Sequence, residues 1–393
     1  MPSTSTPADV AVIGLGAMGS AALYQLARQG LRAVGIDRFA PPHALGSSHG
    51  ESRITRQGVG EGAAYGPFAV AAHRIWRALE EATGETLLSA CGLLVMRSGD
   101  SDAIHHGQPD FVDRSIASAR ACAVPHEVLD GAAIARRFPQ FLGLTGAERA
   151  YFEPGGGYVR PEACIAAQLR RAVALGAAIR SGEAVRAIVP EAGAVRIETE
   201  TETIRAERAV VAAGAWTAPL LGAPFDRLLT VRRQVLHWFA LDDASAYGPT
   251  APAFIWMHGP HAADYLYGFP PMPGERRLKL ATEQYRTATQ ADTAMRAVAP
   301  EEAQEFHRAH VQGRLAGVTA RAVEAAACLY TITPDHHFII DEHPDSERIL
   351  VVSACSGHGF KHSAGVGAAV AERIATGRSA IDLAPFRLAR FAV

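Results

Sequence analysis

At 393 residues, with 48% hydrophobic and 20% charged side chains, the chain has an ordinary globular balance and is long for one hydrophobic core, so two domains are expected. A formal net charge of −2 without a basic stripe excludes nucleic acid as the main partner. No apolar run approaches a bilayer-spanning length, residues 1–8 lack the features of a secretory signal, and five cysteines without paired spacing read as reduced thiols, so a cytoplasmic protein is expected.

Residues 9–37, DVAVIGLGAMGSAALYQLARQGLRAVGID, carry the clearest local pattern. Residues 10–13 are a short apolar run, read as a buried strand. Ala22, Leu23, Leu26 and Ala27 then recur at helical spacing, Gly30 stops the helix, and residues 31–36 give a second strand ending at Asp37. Between strand and helix lies Gly14-Leu15-Gly16-Ala17-Met18-Gly19. Gly14 suits a tight turn, Gly16 lets the backbone approach a pyrophosphate, and Gly19 lets helix and strand pack closely. The helix N-terminus offers free N–H groups to phosphate. Asp37 is placed to accept hydrogen bonds from ribose hydroxyls. A glycine turn without ligand is the alternative; the complete context of strand, helix, strand and acid weighs against it. The stretch alone leaves NAD and FAD open.

Residues 38–48, with Arg38, Ser47 and Ser48, form a loop rich in Pro, Gly and Ser. The run His49-Gly50-Glu51-Ser52-Arg53-Ile54-Thr55-Arg56 sets two arginines, a histidine and two hydroxyls near the glycine turn, suited to a cofactor or an anionic substrate; a solvated loop is the alternative. The periodicity predicts a helix over 68–81, a strand over 91–97, a loop over 100–109 and a helix over 161–175 with Pro161 in its first turn. Residues 177–188, carrying Val185, and 194–203 read as strands of a meander, and 209–213 as a buried strand ending in Gly214-Ala215-Trp216. From 230 to 280, alternating and aromatic segments predict an antiparallel sheet suited to a small-molecule pocket. Residues 290–311 read as helix in two pieces parted at Pro300. Strands at 338–340 and 349–352 lead to Gly357-His358-Gly359-Phe360-Lys361 and a last helix near 365–376. The expected division is discontinuous: 1–90, 150–229 and 325–393 for the nucleotide-binding domain, 91–149 and 230–324 for the substrate domain.

Taken together, GLGAMGS, GSSHGESRITR, VVAAGAW, LKLATEQY, CLYTITPDHHFIID and SGHGFKHSAGVG resemble the monomeric sarcosine oxidase family, in order and over nearly the whole chain. N-methyltryptophan oxidase and pipecolate oxidase are close relatives. The resemblance implies α/β plus antiparallel β: a Rossmann-type, D-amino acid oxidase-like FAD-binding domain with an inserted substrate domain built on an antiparallel sheet and helices. It implies a flavoprotein oxidase of secondary amino acids, N-methyl or cyclic. Such an enzyme transfers hydride to FAD, reduces O2 to H2O2, and leaves an imine that hydrolyses, with formaldehyde released from N-methyl substrates. A monomer or weak homo-oligomer acting on a small amino acid and O2, with no nucleic acid and no membrane, is expected.

By the same resemblance, Cys328 falls on the position of a covalent flavin thioether. Arg53 matches the arginine near the flavin's reactive face, and Arg56 with Lys361 the pair that holds the substrate carboxylate, one by a bidentate grip and one as a point charge. Lys279, in Leu-Lys-Leu, matches a lysine linked to oxygen activation, where fixed positive charge stabilises superoxide as it forms; a surface ammonium with Leu278 and Leu280 inward is the alternative. His49 and Ser52 fall beside the flavin, Tyr267 on an aromatic wall of the substrate pocket, and Ile255 on a further pocket position. The expected cofactor contacts are Gly14, Gly16, Ala17, Met18, Gly19, Asp37, Arg38, Ser47, Ser48, Ser52, Arg53, Val185, Gly214, Trp216, Cys328, Gly357, His358, Gly359, Phe360 and Lys361. The expected catalytic set is Lys279, Arg53, His49, Tyr267 and Glu283.

The adjacent His336 and His337 would point to opposite faces of a strand, so no metal is expected. One departure stands out. Sarcosine oxidase has a histidine four residues after the lysine, where this chain has Glu283, and the loop between Tyr267 and Lys279 is one residue longer. A carboxylate there would repel that of sarcosine and pair with a cationic or hydroxylated part of a larger substrate. The rival readings are an FAD-dependent amino acid dehydrogenase using a quinone or protein acceptor, an NAD-dependent dehydrogenase suggested by the glycine motif alone, and a non-catalytic flavin-binding protein.

Overall fold

The strand Ala8–Ile13 is apolar and buried from Val10 onward, and it becomes the centre of a parallel core. It pairs in parallel with Ala33–Asp37 on one side and Thr203–Val211 on the other. Ala178–Ser181 and Ser346–Ser353 extend this parallel set, and an antiparallel meander of Val185–Glu191 and Ala194–Thr199 closes one edge. The computed structural model describes residues 8–99 and 104–391. Helices Ala17–Arg28, Gly66–Thr83 and Ser363–Thr376 cover one face, with Leu23, Leu26, Trp76 and Val370 in their shared core. Burying such side chains contributes about 2 kcal/mol each.

A second sheet of eight strands runs Val318–Ile332, Thr230–Leu241, Arg277–Ala281, Tyr265–Gly268, Ala253–Met257, Leu93–Arg97, Arg149–Glu153, Glu127–Asp130. The expected antiparallel sheet is present with one exception, since Ala253–Met257 and Leu93–Arg97 pair in parallel. Strand alternation gives it two different faces. Leu94, Phe239, Leu278, Leu280 and Phe306 pack together on one; Leu93, Val95, Ile255, Tyr265 and Phe269 pack on the other. Lys279 therefore points away from its two leucine neighbours and is 4% exposed. The surface-ammonium alternative is overturned.

Two expectations fail for local reasons. Residues 290–299 are not helical: helix begins at Pro300–Phe306 and passes into one π-helical turn, His307–Val311. Pro300 starts that helix instead of dividing one. The preceding segment is held extended by the Trp216 indole donating to Asp292 at 2.8 Å and by Arg296 donating to Leu45 O at 2.6 Å. The span 177–188 divides into Ala178–Ser181 and the start of Val185–Glu191, because Gly182 turns the chain at φ +74°. Of the loop expected at 100–109, residues 100–103 lie outside the described residues. His105 and Gln108 form a bridge that turns the remainder.

Candidate active site

The C-terminal ends of the parallel strands open onto a cleft of about 370 Å³, the position where sheets of this kind bind nucleotides. Gly14 takes φ +85°, and a Cβ there would lie 2.6 Å from Ala212 O. A Cβ at Gly19 would run into Gly14 O, whereas one at Gly16 would meet nothing within 4 Å. Two glycines thus allow close backbone packing, and the third leaves the cleft side open. Asp37 accepts from Leu15 N (2.7 Å) and Phe39 N (2.8 Å), which fixes its carboxylate at the cleft rim. Ala17, Met18, Arg38, Ser47, Ser48, Arg53, Val185, Gly214, Trp216, Gly357, Gly359 and Phe360 line the remaining wall. An elongated cofactor with a pyrophosphate fits this donor set: glycine backbone and a helix N-terminus at one end, an acid for its ribose, apolar walls beyond.

Cys328 sits two residues before the cleft-lining Tyr330 on one strand, so both face the same side. It is buried, which pushes its thiol pKa up while Arg53 and Lys279 pull it back. Lys279 comes from the second sheet. Its ammonium donates to Gly50 O (2.6 Å), Ser52 O (2.6 Å) and Ser52 Oγ (3.2 Å) and lies over the Phe269 ring at 4.7 Å. Burial, then the Arg53 charge, press its pKa well down. The three acceptors match the three protons of an ammonium, and we assign that form. The strained turn at Gly50 (φ +94°) and Glu51 (φ +69°) brings the two carbonyls together. Glu51 in turn accepts from the Trp238 indole at 2.8 Å and from Arg277. Arg53 is held by Ser47 O and Ser52 O. His49 is buried with Nε2 unpartnered, and burial with the Arg53 and Lys279 charges takes it to about 3, hence neutral.

Beyond this point lies a buried charge cluster. Arg56 donates to both oxygens of Glu61 (2.9 and 3.1 Å), and the Lys361 ammonium lies 2.7 Å from Glu61 Oε1. Burial alone would raise the Glu61 pKa, but Arg56 and Lys361 hold it well below the carboxylate range. Lys361 itself is brought down to about 8, burial outweighing the pull of Glu61. Arg56 Nε remains buried without a partner. His106 reaches in from the 104–109 loop, its Nε2 2.7 Å from Glu283 Oε1 and its Nδ1 3.8 Å from Glu61 Oε1. Tyr285 donates to the other Glu283 oxygen at 2.7 Å. Both Glu283 oxygens thus already accept a partner from within the chain, one from His106 and one from Tyr285. His358 belongs to this cluster, with its ring 5.0 Å from that of His106, and not to the cleft wall. Tyr267 pairs in register with Ile255 and stands edge-on to Phe269; Ile255 is buried in the apolar face behind.

Glu61, His106 and His358 offer three donor atoms within 4.8 Å of one another. Lys361 and Arg56 already place two positive charges on that carboxylate, so the trio does not need a cation to balance it. Glu61 and His106 stand in no motif that marks them in the sequence, and Tyr285 is only the last residue of LKLATEQY. The available signals were an acid enclosed by Gly60 and Gly62 in an otherwise apolar stretch, and a histidine pair in a loop.

A Rossmann-type cleft that ends against a buried cationic clamp and a sequestered lysine defines a dinucleotide-dependent oxidoreductase. The family described as FAD dependent oxidoreductase matches residues 9–373. Monomeric sarcosine oxidase from Bacillus sp. (strain B-0618) is 34% identical over 391 residues, covering 98% of this chain and 97% of that protein. N-methyl-L-tryptophan oxidase from Yersinia pestis (strain Pestoides F) is 34% identical over 392 residues, covering 98% and 99%. The solved structure of NikD, an unusual amino acid oxidase essential for nikkomycin biosynthesis, shares the fold with a TM-score of 0.79 at 23% identity, over 98% of each chain. The chain belongs to the FAD dependent oxidoreductase family, in the group of amine oxidases that contains monomeric sarcosine oxidase. Its cofactor is FAD, which closes the NAD reading that the glycine motif left open. Among the described residues no helix is long and apolar enough to cross a membrane.

Proposed function

We propose that the protein oxidises secondary amino acids, N-methyl or cyclic, with dioxygen as the final acceptor. The observation that carries this reading is the buried Arg56–Glu61–Lys361 cluster beside the flavin cleft. Two cations whose counter-ion is supplied by a single side chain form a ready carboxylate site, and the unpartnered Arg56 Nε has a donor to spare. The substrate carboxylate takes the place of Glu61, receiving two parallel hydrogen bonds from the Arg56 guanidinium and one from Lys361. Tyr267 then walls the pocket, and the substrate carbon bearing nitrogen is held facing the cofactor. When bound, FAD supplies a two-electron acceptor that dioxygen can reoxidise. Lys279, fixed by three acceptors and shielded from water, offers positive charge where dioxygen gains electrons. The imine product hydrolyses in water.

Three finer statements form part of the proposal. Cys328 carries the flavin as a thioether, supported by its place on the face that Tyr330 shares with the cleft. The protein acts as a monomer or weak homo-oligomer, in the cytoplasm. The test is oxygen consumption with a panel of secondary amino acids. One hydrogen peroxide per substrate with air as sole acceptor is expected. Turnover that needs an added quinone would place the protein among dehydrogenases instead.

A further inference from the structure

We propose that His106 is the base that removes the proton from the substrate's ammonium nitrogen, with Glu283 as the positioning residue that sets its tautomer. The proposal rests on the carboxylate site described above. An amino acid reaches the pocket with its nitrogen protonated, and a protonated nitrogen has no lone pair to drive oxidation. Some group must accept that proton before chemistry, and it must do so within a few ångströms of the carboxylate clamp.

His106 is built for this. Its Nε2 lies 2.7 Å from Glu283 Oε1. A carboxylate only accepts, so Nε2 carries the hydrogen, and in the neutral ring this leaves the lone pair on Nδ1. Glu283 is ionised: burial would raise its pKa, but His106 and the Tyr285 hydroxyl bring it below the ordinary carboxyl value. The free Nδ1 is buried without a partner and faces Glu61 Oε1 at 3.8 Å. That oxygen marks the position a substrate carboxylate oxygen takes between Arg56 and Lys361. The nitrogen of an α-amino acid is joined to the carbon next to its carboxyl group, so a substrate seated on the clamp brings its N–H to Nδ1. A carboxylate orienting a histidine that in turn acts as base is a known catalytic logic.

Glu283 meets the His106 ring at Nε2 (2.7 Å), and the substrate carboxylate seated in place of Glu61 puts a second negative group on the Nδ1 side. The neighbouring histidines are poorly suited to take the proton. His358, stacked on the ring at 5.0 Å, is buried, and burial with the Lys361 charge holds its pKa well below the ordinary value. His336, on the far side at 6.5 Å, is also lowered by burial and by His106. His105, the chain neighbour, is brought to about 4 by burial. Lys361 and Arg56 are the charged groups on the clamp side, beyond Glu61. The backbone at His106 is held at φ +52°, an uncommon conformation for a side-chain-bearing residue, stabilised by the His105–Gln108 bridge. In the step itself the N–H bond breaks, its electron pair stays on the substrate nitrogen, and the proton passes to Nδ1 and later to solvent.

The test uses holoenzyme and the secondary amino acid that the wild type oxidises fastest. Anaerobic flavin reduction is followed by stopped flow between about pH 6 and 10, a range in which a general base and the free amine titrate separately. His106→Gln keeps a donor toward Glu283 and supplies no base. Its reduction rate is expected to fall about 100-fold near neutral pH and to climb back toward wild type as the free amine deprotonates unaided. Glu283→Gln should shift the profile in the same direction by less. His106→Gly, whose backbone suits φ +52°, should be rescued by added imidazole and not by pyrrole. A His106→Gln profile parallel to wild type at every pH, or pyrrole rescue equal to imidazole, would overturn the assignment. A wild type whose flavin no secondary amino acid reduces would overturn the substrate reading, and the base with it.

Discussion

Glu61→Gln probes the carboxylate site most sharply, because the change keeps the shape and removes only the charge. In the wild type, Glu61 is 1% exposed and is shared by Arg56, 2% exposed, and Lys361, 4% exposed. Taking one partner from a buried ion pair costs about 3–5 kcal/mol, since the remaining charges stay desolvated. For a chain of this size, near 2 °C per kcal/mol, that is a fall in Tm of roughly 6–10 °C. A small carboxylate without an amine, such as propionate, should reverse the loss, because it restores the missing anion. At about 1,000 times its Kd it adds roughly 4 kcal/mol. It should also bind the variant at least tenfold more tightly than the wild type, because in the variant it displaces a neutral amide and not a carboxylate paired with Arg56 and Lys361; tenfold corresponds to about 1.4 kcal/mol. The assay is thermal unfolding of the holoenzyme over a propionate series, with binding read from the flavin spectrum. A variant as stable as wild type, or one that binds propionate more weakly, would refute the idea that Glu61 holds the place of a substrate carboxylate.

Other expectations follow from the same geometry. Propionate binding to the wild type should weaken about tenfold per pH unit above pH 8, as Lys361 loses its proton; Lys361→Met should bind more weakly at neutral pH and lack the inflection. Lys279→Met should slow flavin reoxidation by dioxygen about 100-fold while leaving anaerobic reduction nearly intact; unchanged reoxidation in stopped flow would remove Lys279 from that role. Acid precipitation of the wild type should give a yellow pellet, and Cys328→Ser a yellow supernatant; a yellow pellet from the variant would place the attachment elsewhere.

Much of this was legible in the chain because local constraints wrote it there. Gly14, Gly16, Gly19 and Asp37 must be contiguous with their strand and helix to hold a dinucleotide, so the pattern survives in one dimension. Lys279 was half legible: alternation put it opposite Leu278 and Leu280, but only the fold shows that both faces of that strand are buried. The charge cluster was not legible. Glu61 follows the Arg56 turn, His106 sits in a loop some 45 residues on, and Glu283 and Tyr285 come from the second sheet. Their meeting depends on tertiary contact, and no spacing rule reports it. Glu283 shows what one residue read alone leaves out: both of its oxygens are engaged by His106 and Tyr285. The segment 290–299 was misread for a related reason. Its helical composition is overridden by the Trp216–Asp292 and Arg296–Leu45 contacts that stretch it across the cleft rim.

The central claim is that a buried clamp presents an amine to the flavin by its neighbouring carboxylate. The direct measurement is anaerobic mixing of the holoenzyme with a secondary amino acid and, separately, with the amine left after removing its carboxyl group. The account expects the amino acid to bleach the flavin rapidly and the decarboxylated amine to do so at least 100-fold more slowly at equal concentration, the loss of a charge-assisted grip on Arg56 and Lys361. Equal rates for the two, or a flavin that stays oxidised with the amino acid, would contradict it.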